Sequence, residues 1–271
     1  YPPRKYDIPE NVLKTGKNVI VIRVINQTGS GGFVKDKPYQ LIIGEQIVDL
    51  KGEWQYQIGA IMDPLPAATF IFWRQPLGFY NGMIAPLLNY KIKGVIWYQG
   101  ESNTAKPLEY RQLFPALIAN WRQKWNQGNF PFLYVQLANY MQTNPQPSES
   151  NWAELREAQL KTLSTVNTAM AVTIDIGEGN DIHPLNKEDV GKRLALAAQK
   201  IAYGDKKVVY SGPIYQSMKI KGNKIILTFK NTGGGLVARG DDELNYFSIA
   251  GTDKKFVWAK AIIENGRVIV R

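Results

Sequence analysis

The sequence predicts an α/β protein in which a mainly parallel sheet, covered by helices, lies between two β-rich segments. Two observations predict the sheet. Short apolar runs at residues 93–98, 132–137 and 170–176 have the length of buried strands, and the stretches between and after them carry helical periodicity. A third observation sets the flanks: residues 1–62 and 206–271 lack that periodicity and show β-branched runs broken by glycine loops. With 271 residues there is room for one large domain and a smaller one.

In chain order, residues 1–62 read as the tail of a β-sandwich-like domain. The run Val19-Ile-Val-Ile-Arg-Val-Ile25 is strand-like, residues 28–32 form a glycine loop, and residues 39–50 and 54–58 resume the β texture. These strands are too few to close a sandwich, so the segment is expected to complete a domain begun upstream. Pro64 and Pro66 mark a linker, after which residues 63–205 form the α/β domain. Tyr110, Leu113, Phe114, Leu117, Ile118, Trp121 and Trp125 recur at helical spacing and predict an amphipathic helix whose aromatics belong to the core. A proline-rich loop at 144–147 precedes a helix starting near Trp152, and a further helix is predicted over 187–203. Residues 206–271 form a small β domain, with strands at 224–229, 256–263 and 267–270 and a loop at 233–235.

Composition excludes several classes of function. There is no cysteine and only one histidine, so a transition-metal site would need carboxylates almost alone; no metal or other cofactor is expected. No apolar run reaches the roughly 18 residues that span a membrane, and no basic-then-apolar leader is present, so no membrane partner is expected. The net charge of +10 favours anionic partners in general. Its lysines and arginines are scattered, with only short pairs such as Lys206/Lys207 and Lys254/Lys255, which argues against nucleic acid.

Two constellations could carry chemistry. His183 is the one side chain whose ordinary pKa, about 6.5, suits proton transfer near neutrality. Asp181 stands two positions before it, in a segment running from a buried strand through a loop into a helix; in open parallel sheets ligands bind at such carboxyl ends of strands. The second constellation is Gly94-Val-Ile-Trp-Tyr-Gln-Gly-Glu-Ser-Asn103, a strand ending in Gly100 and a short polar loop. Glycine lets a backbone N–H approach a ligand closely, and Asn103 adds an amide donor, a pairing suited to a developing oxyanion. Gln99 and Glu101 flank Gly100 and are candidates for sugar contact. Arg74 is a candidate partner for a carboxylate, and Asn81 opens the string Asn81-Gly-Met-Ile-Ala-Pro-Leu.

Taken together, Tyr80-Asn-Gly-Met-Ile-Ala-Pro-Leu, then Gly94 to Asn103, then Asp181-Ile-His-Pro-Leu-Asn-Lys with Gly191-Lys-Arg-Leu-Ala resemble the sialate O-acetylesterases of the SGNH hydrolase superfamily. The resemblance covers most of the chain. It implies a flavodoxin-like three-layer α/β/α domain, a secreted or periplasmic enzyme, and removal of O-acetyl groups from sialic acid through a serine acyl-enzyme. On that resemblance Gly100 and Asn103 match the oxyanion loop, His183 the general base and Asp181 its orienting carboxylate, with Asp175 and Glu178 as alternatives for the last role. The family's nucleophile lies on a Gly-Gln-Ser-Asn loop, a string found nowhere in these residues. Ser102 is the internal rival; the favoured expectation is that the serine lies on a missing N-terminal portion and that this chain alone is inactive. A non-catalytic carbohydrate-binding or structural module, and an acetyl xylan esterase, are the competing readings.

Overall fold

The computed structural model describes residues 4–25, 32–34, 37–61, 76–240 and 243–271. Arg74, the proline pair at 64 and 66 and most of the 28–32 loop lie outside the described residues. The chain divides into two compact units, Tyr1–Ala85 and Pro86–Arg271.

Among its described residues the first unit contains one antiparallel hairpin, β1 (Gln40–Ile43) with β2 (Gln46–Asp49), registered Gln40 to Asp49 and Ile43 to Gln46. The predicted strand at Val19 is not formed as far as Ile25, and residues 54–58 also lack strand structure. A strand needs a neighbour for its backbone N–H and C=O groups and a core for its apolar face. Here Val19, Val21 and Ile25 are 77%, 87% and 74% exposed, and none of the unit's described residues is buried. Alternating β-branched residues are a propensity to which the unit's described residues give no strand partner.

The second unit holds the predicted parallel sheet. Strands β3 (Val95–Trp97), β4 (Phe132–Val135) and β5 (Thr168–Ala171) are hydrogen-bonded neighbours in that order, with Trp97 opposite Tyr134 and Val135 opposite Ala171. Strand alternation divides β4 between two cores. Leu133 and Val135, with Ala169 and Ala171 of β5, pack on Val190, Leu194 and Ala197 of helix α3 (Lys187–Ile201). Phe132 and Tyr134 instead meet Trp97 and Phe114, the latter on helix α1 (Pro107–Trp125). Helix α2 (Asn151–Lys161) packs beside α1.

Along α1 the buried stripe is Tyr110, Phe114, Ile118, Arg122 and Trp125, whereas Leu113, counted in the helical spacing of apolar residues, is 56% exposed. Arg122 takes the stripe's fourth position because its guanidinium donates to the carbonyls of Phe130, Val166 and Asn167, at the entries to β4 and β5.

Beyond α3 the chain forms an antiparallel sheet in the order β6 (Ile214–Lys221), β7 (Lys224–Lys230), β12 (Arg267–Val270), β11 (Ala261–Glu264), β8 (Glu243–Leu244). The single strand predicted over 256–263 is broken: β10 (Val257–Trp258) pairs with β9 (Ser248–Ile249), and only β11 joins the larger sheet. The indole of Trp258 donates to the Pro145 carbonyl at 2.8 Å, tying this part to the proline-rich loop after β4.

Candidate active site

The site is assembled at the carboxyl edge of the parallel sheet. From β3 the chain passes through Tyr98 and Gln99 to Gly100, which starts a short 3-10 turn, Glu101–Asn103. Gly100 is buried, with φ of 155°, a conformation open to glycine and rarely adopted by other residues. A Cβ at this point would lie 2.9 Å from Leu155 Cδ2, 3.2 Å from Gln159 Nε2 and 3.3 Å from Leu137 Cδ2. The side chain is therefore excluded on two grounds, backbone conformation and space.

Asn103 is half-buried, and its N–H donates to the Gly100 carbonyl at 2.9 Å, closing the turn. Its Oδ1 accepts from Gln99 Nε2 at 2.7 Å. Because an amide presents its oxygen and nitrogen on opposite sides, this bond fixes the Asn103 side chain with Nδ2 facing away from Gln99. Gln99, read from sequence as a sugar contact, thus has its amide nitrogen bonded to Asn103. Glu101 is half-buried at the start of the turn and Ser102 is exposed on it.

His183 lies on the 15-residue stretch, 172–186, that links β5 to α3. Three contacts anchor this loop to the chain leaving β4. Thr173 Oγ1 donates to the Gln136 carbonyl at 2.5 Å, Gly177 crosses directly over the backbone of Asn139, and Gly179 approaches Met141. A Cβ on Gly177 would sit 2.7 Å from Asn139 N and closer still to two Asn139 oxygens, so only glycine fits the crossing. Gln159 ties the Gly100 turn to the same outgoing segment, its amide donating to the Gln99 carbonyl and accepting from the Leu137 N–H, so both candidate loops are held to residues 136–141. The strands run parallel, which puts Gly100 and His183 beyond the same ends of them, as the sequence predicted.

Within the histidine loop the carboxylates have separate tasks. Asp181 Oδ1 accepts from the His183 backbone N–H at 2.8 Å, an Asx-type turn that sets the histidine's backbone. Glu178 Oε1 accepts from the Leu185 N–H at 2.8 Å, and its carbonyl accepts from the Asp181 N–H at 3.2 Å, so it braces the loop on both sides of His183. Asp175 receives two hydrogen bonds from Arg193, at 2.6 and 2.7 Å, with Arg239 a further 3.8 Å from it. The bonds from Arg193 hold the Asp175 carboxyl below the usual carboxylate range. This pairing commits both Asp175 oxygens to Arg193 and leaves Asp181 and Glu178 as the loop's carboxylates nearest His183 in the chain. The loop ends at Asn186, whose side chain caps α3 by accepting from the Asp189 N–H at 3.1 Å.

Asn81, exposed on a five-residue π-helical turn (Tyr80–Ile84), belongs to the first unit, and Arg74 is outside the described residues. A cavity of about 420 Å³, lined by Arg122, Gln123, Asn126 and Val166 among others, opens at the opposite, amino edge of the sheet and contains none of these residues.

Sequence reasoning missed Gln159 and Asn139, and read Tyr110 as core, which it is, without its bond to the Gln99 carbonyl. The Gln159 side chain is fully buried, and its amide reaches Gln99, Val135 and Leu137. One signal was legible: it follows Trp152, Leu155 and Ala158 in the apolar stripe of α2, where a polar residue must find buried partners. Asn139 Oδ1 is buried without a hydrogen-bond partner among the described residues, under the Gly177 crossing.

Residues 56–200 match the family model described as carbohydrate esterase, sialic acid-specific acetylesterase. The sialate O-acetylesterase of Rattus norvegicus is 33% identical over 219 residues, 73% of this chain and 39% of that protein. Its counterpart in Homo sapiens is 32% identical over 200 residues, 67% of this chain and 38% of that protein. A solved structure of a carbohydrate acetylesterase from Xanthomonas citri shares 47% identity at a TM-score of 0.67, covering 71% of this chain and 45% of the other. The chain thus spans less than half the length of each of these relatives. By its motifs, its parallel sheet and these matches, the chain belongs to the sialic acid-specific acetylesterase family of carbohydrate esterases.

Proposed function

We propose that this chain supplies the general base and the oxyanion loop of a serine esterase that removes O-acetyl groups from sialic acid, on an SGNH-type three-layer α/β/α domain spanning residues 63–205, acting in the periplasm or outside the cell. The observation that carries the reading is the anchoring of the Gly100 turn and the His183 loop on one segment, residues 136–141, at the carboxyl edge of a parallel sheet. Membership of the family supports the substrate class.

In this mechanism a serine Oγ attacks the acetyl carbonyl carbon while His183 takes the hydroxyl proton. The carbonyl π electrons move to oxygen, and the resulting oxyanion is held by the Gly100 N–H and Asn103 Nδ2. Collapse of the tetrahedral intermediate breaks the ester C–O bond, and the imidazolium gives its proton to the departing sugar oxygen, which leaves as a hydroxyl. Water, deprotonated by His183, then attacks the acyl-enzyme; acetate leaves and the serine is restored. Asp181 holds the tautomer of the neutral imidazole and stabilises the imidazolium that forms from it. The serine is assigned to sequence outside these 271 residues; Ser102 stands two residues after Gly100 on the oxyanion turn, and its use as nucleophile would leave the Asn81 string without a role.

The test is hydrolysis of an O-acetylated sialic acid by this chain, by the same chain carrying His183→Ala, and by a longer polypeptide that includes a family-type serine loop. The chain alone is expected to match its His183→Ala variant. The longer polypeptide is expected to turn over and to lose several orders of magnitude in kcat with His183→Ala, at nearly unchanged KM. Turnover by the chain alone that vanishes with Ser102→Ala would reassign the nucleophile. Undiminished turnover by the longer polypeptide carrying His183→Ala would remove the base.

A further inference from the structure

The structure assigns to Gln159 a task that rests on the esterase reading and extends it: this buried amide is a positioning residue that aims the two oxyanion donors. The fully buried side chain sits between the ends of β3 and β4. Its Oε1 accepts from the Leu137 N–H at 2.9 Å, and its Nε2 donates to the carbonyls of Gln99 and Val135, each at 3.3 Å. One backbone donor and two backbone acceptors fit one orientation of an amide, and neither a carboxylate nor an apolar side chain satisfies all three. Gln159 is itself held from behind, its own carbonyl accepting from the Tyr134 hydroxyl at 2.8 Å.

The consequence passes through the Gln99–Gly100 peptide. The Gln99 carbonyl also accepts from the Tyr110 hydroxyl at 3.3 Å, so both of its lone pairs are engaged by buried groups. Burial pushes the Tyr110 phenol up to about 12, which keeps it a neutral donor throughout the working pH range. A trans peptide is planar, with its N–H directed opposite to its C=O. With the Gln99 carbonyl turned into the core by Gln159 and Tyr110, the Gly100 N–H is turned out of it. The same clamp fixes the Gln99 backbone from which the Gln99 side chain reaches Asn103 Oδ1 at 2.7 Å, and that bond directs Asn103 Nδ2. Glycine at position 100 gives the peptide little resistance of its own to flipping, so the direction depends on the two donors to Gln99. Gln159 and Tyr110 never touch the ester; they act through Gly100 and Asn103.

The test uses Gln159→Met, close in volume and without the amide, and Tyr110→Phe, which removes one hydroxyl. Amide NMR of the isotopically labelled chain is expected to show the Gly100 and Asn103 resonances displaced in both variants while those of β7 and β12 stay in place. In the serine-bearing polypeptide, Gln159→Met is expected to lower kcat about 10- to 100-fold with KM within about twofold, and Tyr110→Phe less than tenfold in the same direction. Unmoved Gly100 and Asn103 resonances in a folded Gln159→Met chain would overturn the assignment, as would a lowered melting temperature with unchanged kcat. Where Gln159→Met fails to fold, Tyr110→Phe decides by the same two readings. Displaced resonances in a protein whose wild type hydrolyses no acetyl ester would uphold the clamp while sinking the esterase reading.

Discussion

At the scale of single residues, each candidate role predicts a different kinetic loss. Asn103→Ala in the serine-bearing polypeptide should lower kcat by roughly 10²- to 10³-fold, because the hydrogen bond counts most when charge develops on the acetyl oxygen. Asp181→Asn keeps the shape but withdraws the charge, and a fall of about 10⁴-fold is expected if Asp181 orients the imidazole. A fall below about tenfold would pass the role to Glu178, since Asp175 is held by Arg193. That ion pair makes its own prediction, in stability. Asp175 has a folded-state pKa depressed by Arg193, so its contribution is present above the unfolded value, about 3.9, and is lost as pH falls through the folded one. The Asp175 side chain is 35% exposed and the pair is screened by solvent, so the contribution should be below about 1 kcal/mol. Thermal scans should therefore show Asp175→Asn melting slightly below wild type at pH 7, with the gap closing below about pH 4. A gap that did not narrow at all as pH fell below about 4 would mean the substitution acts through packing. The lone histidine and the Gly100–Asn103 string were legible in sequence because their chemistry is local. The bonds of Gln159, 60 residues from Gln99, were not, because only folding brings them together.

At the scale of elements, α1 contains the predicted run from Tyr110 to Trp125, α2 starts beside Trp152, and α3 spans Lys187–Ile201 where 187–203 was predicted, since a helix declares its own period and caps. Strands depend on what lies beside them, and there the reading was uneven. The run at Val19–Ile25 has strong β propensity and forms no strand, whereas β6, Ile-Tyr-Gln-Ser-Met-Lys-Ile-Lys, forms one that was not expected. Strand β6 is an edge strand with mostly exposed residues, and its polar and charged side chains hide its apolar signal while its backbone pairs along β7. The buried arginine of α1 belongs to this scale too, because it joins the entries of two strands to the helix. Arg122→Met should destabilise the protein by about 2–4 kcal/mol, since it leaves the carbonyls of Phe130, Val166 and Asn167 without that donor. Denaturant midpoints at unchanged m would measure it, and a change under about 0.5 kcal/mol would show that water replaces the guanidinium.

At the scale of the whole molecule, every described side chain that is buried lies in the second unit, so stability should be concentrated there. Hydrogen exchange read by mass spectrometry is expected to be slowest in β4 and β5 and near intrinsic rates at Val19 to Ile25; slow exchange in that run would show it paired. The sequence by itself determined the parallel order of strand and helix, the family, and the residue types able to take a proton and hold an oxyanion, because periodicity and motif are properties of neighbours in the chain. Only the tertiary structure decided which apolar runs become strands, which carboxylate is consumed by an arginine, and which buried amide turns the Gly100 N–H outward. Those outcomes depend on hydrogen-bond partners 18 to 60 residues away, and a backbone group or a carboxylate takes its role from the partner that folding delivers.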